Sequence, residues 1–162
     1  LFINDRLDVA LAADADGVHL GPDDLPVRAA REAVDRARGQ QVGTRRATPG
    51  QHGRAARRFL IGYSTDDPDT ARQAAADGAD YIGCGAVFGT TSKAEVGDER
   101  IGPQRLARVA AAVDIPVVGI GGITPANVPE VAATGAAGAA VIGAVMKAPD
   151  VEDAVRRLLG AF

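Results

Sequence analysis

The segment Pro116–Thr124, PVVGIGGIT, constrains this chain more than any other, together with its echo Gly138–Ala144, GAAVIGA. Each is a short apolar run that ends in glycine and is followed by a segment with helical spacing. Pro116-Val117-Val118-Gly119-Ile120 is too short for a helix and too apolar for a half-exposed strand, so it reads as a buried parallel strand. Gly121 and Gly122 leave no side chain between backbone N–H groups and an approaching anion. Thr124-Pro125 supplies an N-cap and a first-turn proline, which aims a helix N-terminus at the same spot. Two such glycine ends side by side predict a phosphate site.

The same unit recurs along the chain. Leu1-Phe2-Ile3, Gly17–Leu20, Phe59–Tyr63 and Tyr81–Phe88 read as four further strands. Helical spacing follows each, carried by Leu7, Ala10 and Leu11, by Val27, Ala30 and Val34, by Ala71, Ala74 and Ala75, and by Leu106, Val109, Ala110 and Val113. After Pro116–Ile120 come Val128, Val131 and Ala132. The last helix, with Asp150 as N-cap, is predicted to bury Val151, Ala154, Val155, Leu158 and Leu159. Asp67-Pro68 is predicted to open the helix after the third strand. Residues 36–57 are basic, polar and short of apolar periodicity, and read as a long surface loop.

Three stretches repeat one another: ADADGVHLG at 13–21, DGADYIGCG at 77–85 and TGAAGAAVIG at 134–143. Asp16, Asp80 and Ala137 fall at matching places, separated by roughly two βα units of about 30 residues each. Six strands that alternate with helices imply an α/β fold with a parallel sheet. Glycine ends on the last two strands favour a (β/α)8 TIM barrel over a doubly wound open sheet, because GIGGIT is not G-x-G-x-x-G and lacks an acidic residue about 20 positions on. A closed barrel needs eight strands. The expectation is therefore a single domain over residues 1–162, lacking the first two strand–helix units before Leu1 and leaving an open sheet edge. That edge leaves room for a homo-oligomer.

The 162 residues are 46% hydrophobic with net charge −3, enough for one core and without the basic surface that nucleic acid or a membrane would require. No apolar run reaches membrane-spanning length. The single cysteine, Cys84, suits a cytoplasmic location.

Candidate polar groups gather where strands end, the active face of such a barrel. Asn4, Asp5, Asp24, Ser64, Thr90, Ser92 and Lys93 come from four strand ends. Asp5 and Asp24 are hard oxygen ligands suited to Mg²⁺, although each also precedes a helix and could serve its N-terminus instead. Lys93 follows three hydroxyl residues, as in an anion-binding loop, although a lone Lys in a polar loop is commonly just solvated. His19 lies within an apolar strand and reads as a satisfied core histidine rather than a base. His52 and the arginines at 45, 46, 54, 57 and 58 read as solvated loop residues. Cys84 reads as a small core residue without an activated thiol.

INDR (3–6), DGVHLG with a following Asp (16–24), GYST (62–65), GADYIGCGAVF-GTTSK (78–93) and VVGIGGIT (117–124) resemble the thiamine-phosphate synthase family over nearly the whole chain. The resemblance implies a (β/α)8 barrel that couples hydroxymethylpyrimidine diphosphate to a thiazole phosphate, with Mg²⁺ as cofactor and pyrophosphate released. It implies Asp5 and Asp24 as metal ligands, Asn4 as a pyrimidine-diphosphate contact, and Ser64 and Lys93 on the pyrophosphate. It also implies Thr90 and Ser92 on the thiazole phosphate, with Gly121 or Gly122 and the Ile142-Gly143 pair donating backbone N–H groups to its phosphate. Pro22, Asp66, Gly89 and Gly143 stand where the family usually has Gln, His, Pro and Ser. A thiazole tautomerase-like paralogue depends on a His in the loop where Asp66 lies. A non-catalytic phosphate-binding barrel fragment is the third expectation.

Overall fold

A computed structural model describes residues 1–41, 58–89 and 100–162. Its elements alternate from the start: β1 (Phe2–Asn4), α1 (Leu7–Ala12), β2 (Gly17–Leu20), α2 (Val27–Gln41), β3 (Leu60–Ser64) and α3 (Pro68–Ala76). They continue as β4 (Tyr81–Gly85), α4 (Gly102–Ala110), β5 (Val117–Ile120), α5 (Val128–Ala132), β6 (Gly138–Ala140), α6 (Gly143–Met146) and α7 (Val151–Leu159). The six strands form one sheet in chain order, every neighbouring pair parallel. An order without a reversal excludes the doubly wound alternative, which needs a switch point where the order turns back. The sheet curls as a half-barrel of TIM type, and β1 and β6 are its edges.

Strand alternation sorts the sheet into two faces. Val18, Leu20, Ile61, Ile82 and Cys84 are fully buried on the face that meets the helices. There they join Ala10, Ala30, Val34, Ala71, Leu106, Val109 and Val131 in one core. Each large aliphatic side chain so buried contributes roughly 1.5–3 kcal/mol. Gly119 lies on this face too, where an added Cβ would come within 3.0 Å of Leu106 and Val131, so α4 and α5 pack directly on the β5 backbone. Phe2, His19, Ser64 and Tyr81 occupy the other face.

The repeat is a shared αβ turn. The residue before each even-numbered strand donates its N–H to the preceding strand or the residue just ahead of it: Asp16 to Leu1 O (2.8 Å), Asp80 to Ile61 O (2.7 Å) and Ala137 to Val117 O (2.8 Å). Two residues earlier the backbone turns left-handed, at Asp14 (φ 51°), Gly78 (φ 104°) and Gly135 (φ 83°). The turn before β4 carries an ion pair as well. Asp80 accepts from Ile61 N and Arg31 and pairs with Arg58.

Three expectations need correction. Residues 36–41, expected in the loop 36–57, continue α2; Arg38 stacks its guanidinium over the Phe59 ring at 5.4 Å, a contact that aliphatic periodicity does not register. Residues 42–57 lie outside the described residues. The segment at Thr124 does not cap a helix directly. Thr124–Asn127 form a turn held by Asn127 Oδ1 on Thr124 N, and α5 begins only at Val128. In α7, Ala154 and Leu158 are buried as expected, whereas Val151, Val155 and Leu159 are exposed, because this helix packs chiefly on the four-residue α6 at the β6 edge. The Asp67 and Asp150 caps are as expected, accepting from Thr70 N and Asp153 N.

Candidate active site at the strand ends

β1 ends at Asn4, and Asp5 follows in the left-handed region (φ 64°), its N–H held by His19 O at 2.9 Å. A non-glycine residue in that conformation is uncommon, and Asp is among those that tolerate it best. The Asp5 carboxylate has no protein partner among the described residues. Beyond β2, Asp24 folds back so that its Oδ2 accepts from Gly21 N at 2.6 Å, which leaves Oδ1 without a protein donor there. Two carboxylates thus end adjacent parallel strands with oxygen atoms not committed to basic side chains. Among the described residues no cluster of three or more His, Cys, Asp or Glu could hold a metal by itself.

Ser64 closes β3. Its Oγ lies 2.7 Å from His19 Nε2, and His19 Nδ1 lies 2.9 Å from the Tyr81 hydroxyl. The imidazole and phenol rings stack at 5.5 Å, and Phe2 meets Tyr81 edge-on at 5.7 Å. His19 is therefore satisfied, as expected, but it is half-buried on the face away from the helices and not in the core. Its partner is a candidate site residue, a link that the isolated His in an apolar run did not signal. Burial raises the Tyr81 pKa, so the phenol keeps its proton.

Gly121 (φ 95°) and Gly122 (φ 63°) end β5 in conformations that suit glycine. Their lack of side chains also lets the chain after β4 close over them. An added Cβ would fall 2.6 Å from Ala86 Cβ at the first and 2.5 Å from Gly89 O at the second. Phe88 N donates to Gly121 O at 3.0 Å, and Asn127 Nδ2 to Gly122 O at 3.0 Å. Ile142, 61% exposed, and Gly143 begin α6 beyond β6. Helices α5 and α6 are a few residues long, so backbone amides rather than long helix dipoles are what this end offers an anion.

Thr90, Ser92 and Lys93 lie outside the described residues. Asp66 is bound to Arg105, whose Nη1 lies 3.5 Å from its carboxylate and 3.4 Å from its carbonyl oxygen. Cys84 is fully buried, and burial pushes its thiol pKa up to about 12, the opposite of an activated nucleophile. A pocket of about 350 Å³ lies at the other end of the sheet, between α2 and the start of β3, lined by Arg31, Val34, Arg38 and Phe59 among others. No helix among the described residues is long and apolar enough to cross a membrane.

Comparison with known proteins points the same way. The family model described as thiamine monophosphate synthase matches residues 1–44 and 36–145. The chain is 45% identical to a thiamine-phosphate synthase of Natronomonas pharaonis, over 99% of this chain and 66% of that protein. It is 46% identical to a thiamine-phosphate synthase of Roseiflexus castenholzii, over 98% of this chain and 60% of that protein. Among solved structures, thiamine phosphate pyrophosphorylase from Pyrococcus furiosus superposes with a TM-score of 0.73 at 40% identity, covering 99% of this chain and 65% of that one. The chain thus spans somewhat less than two thirds to about two thirds of the length of these relatives. A six-stranded parallel sheet in chain order, with uncommitted carboxylates and glycine turns at its strand ends and these matches along its length, places the chain in the thiamine monophosphate synthase family.

Proposed function

We propose that these residues form the larger part of a thiamine-phosphate synthase, a transferase of thiamine biosynthesis. The reaction joins hydroxymethylpyrimidine diphosphate to thiazole phosphate. The observation that carries the reading is 45% identity to such a synthase across 99% of the chain, which includes every strand end described above. In the reaction, the bond between the pyrimidine methylene carbon and the diphosphate oxygen breaks and its electron pair leaves on pyrophosphate. The thiazole nitrogen lone pair then forms the new C–N bond.

No proton need be removed to make the nucleophile, so the protein's task is to stabilise the charge that develops on the leaving group. Ser64 and Lys93 hold the diphosphate, and Asn4 contacts the pyrimidine substrate. Thr90 and Ser92 contact the thiazole phosphate, whose phosphoryl group sits on the amides of Gly121 or Gly122 and of Ile142-Gly143. Asp5 and Asp24 suit a Mg²⁺ ion, since both are oxygen donors with no basic partner among the described residues. A bound Mg²⁺ would neutralise charge on the diphosphate oxygens.

The complete barrel of this proposal has eight strands, two of them ahead of β1, and works in the cytoplasm. The tautomerase-like alternative is disfavoured by Asp66, an acceptor already engaged by Arg105. The test is an assay with both phosphorylated substrates and Mg²⁺, on residues 1–162 alone and on a longer protein with two further strand–helix units. Thiamine phosphate formed by the longer protein is the expected result. Its absence there, with pyrophosphate still bound, would move the assignment to a phosphate-binding barrel.

A further inference from the structure

The row of side chains on the inner face holds more than the proposed substrate contacts. His19, Gly62 and Tyr81 are successive Cα partners across β2, β3 and β4, and Ser64 is paired with Gly83. The His19–Tyr81 hydrogen bond therefore crosses directly over β3, and this is possible only because β3 has no side chain at that point. A Cβ at Gly62 would come 2.1 Å from Tyr81 Cζ and 2.5 Å from His19 Nδ1. A Cβ at Gly83 would press on His19 Cε1 at 3.0 Å. Two glycines on neighbouring strands thus make room for one Tyr–His–Ser chain of hydrogen bonds.

We propose that His19 is a positioning residue for Ser64. Tyr81 donates its phenolic proton to Nδ1, Nε2–H donates to Ser64 Oγ, and the Ser64 hydroxyl proton stays free to donate to an anionic substrate oxygen. A neutral imidazole has one donor and one acceptor nitrogen, so the two ends of the chain are linked. A phenol that keeps its proton is a good donor, and an imidazole nitrogen lone pair is the better acceptor of the two. The Tyr81 end therefore selects the Nε2–H tautomer. In the other tautomer Ser64 would spend its proton on Nε2 and turn only lone pairs toward an anion. The use made of the Ser64 proton rests on the synthase reading above; the direction of the hydrogen bonds does not.

The experiment is ¹⁵N NMR of the imidazole in the full-length protein, with isothermal titration of pyrophosphate in Mg²⁺. The wild-type protein is expected to show the Nε2–H tautomer, and Tyr81→Phe to lose that bias. His19→Gln keeps an amide N–H near the Nε2 position and His19→Asn does not. Pyrophosphate is expected to bind within a few-fold of wild type in the first and about tenfold more weakly in the second, the loss of roughly one charge-assisted hydrogen bond. Thermal unfolding of both variants separates this from loss of fold. An Nδ1–H tautomer in the wild-type protein, or equal affinity in two folded variants, overturns the proposal. An Nε2–H tautomer and the Gln/Asn difference in a protein that forms no thiamine phosphate would overturn the synthase reading and leave the positioning role standing.

Discussion

Ser64, Asp5 and Asp24 owe their candidacy to what surrounds them rather than to their type. Asp24 keeps one oxygen on Gly21 N, a contact that an amide oxygen can also make. Asp24→Asn is therefore expected to preserve the loop while weakening metal binding. The Mg²⁺ concentration for half-maximal turnover should rise by about tenfold, from loss of one charged ligand, with the unfolding temperature nearly unchanged. Lys93→Ala should lower turnover by a hundredfold or so, the scale of losing one charge-stabilising group, and cost little in folding. Steady-state kinetics beside a urea titration reads both, and unchanged turnover would remove Lys93 from the mechanism. Cys84 makes the opposite case. Its folded-state pKa is raised to about 12 from 9.0, so the folded protein favours the thiol. The resulting stability is complete below pH 9 and is lost as pH rises toward 12. Cys84→Ala should flatten the fall of stability with pH above 9, and in the native protein the thiol should resist alkylation until denaturant is added.

At the scale of elements, the αβ turns before β2, β4 and β6 are the recurring device. Each places a residue in the left-handed region and then delivers a backbone N–H to the preceding strand or the residue just ahead of it. Gly78, at φ 104°, has Arg31 side-chain atoms from 3.3 Å away, so it needs glycine for its conformation more than for space. Gly78→Ala is expected to destabilise the protein by about 1–2 kcal/mol, measurable by urea unfolding, without altering the strand ends. The Arg31–Asp80–Arg58 group binds the same turn to α2 and β3. A one-residue slip of β4 against β3 would turn Tyr81 to the other face of the sheet, away from His19.

For the whole molecule, the order of strands matters most. Six parallel strands in chain order bring the ends of β1, β2, β3 and β5 to one rim although their residues are scattered along the sequence. If the proposed enzyme is an eight-stranded barrel, residues 1–162 alone should give little thiamine phosphate and should gain turnover when two further units are supplied. A direct assay of both proteins checks this. Full turnover by the shorter one would mean that six strands suffice.

Much of this was legible in the sequence. The strand positions, the parallel sheet and the caps at Asp67 and Asp150 follow from local patterns, because strand length, apolar runs and side-chain capping act over a few residues; the exception is the fourth strand, read to Phe88, where β4 ends at Gly85. The repeat likewise marked a real turn, since a left-handed residue before a strand leaves its trace in small and acidic residues. The tertiary structure decided the rest. α2 runs on to Gln41, with Arg38 stacked over Phe59, and the edge packing of α7 leaves Val151, Val155 and Leu159 exposed. Above all, the chain from Tyr81 through His19 to Ser64 joins residues 62 and 45 positions apart. Helical or strand periodicity cannot predict such a contact, because it arises only when register sets three strands side by side and two glycines clear the space between them.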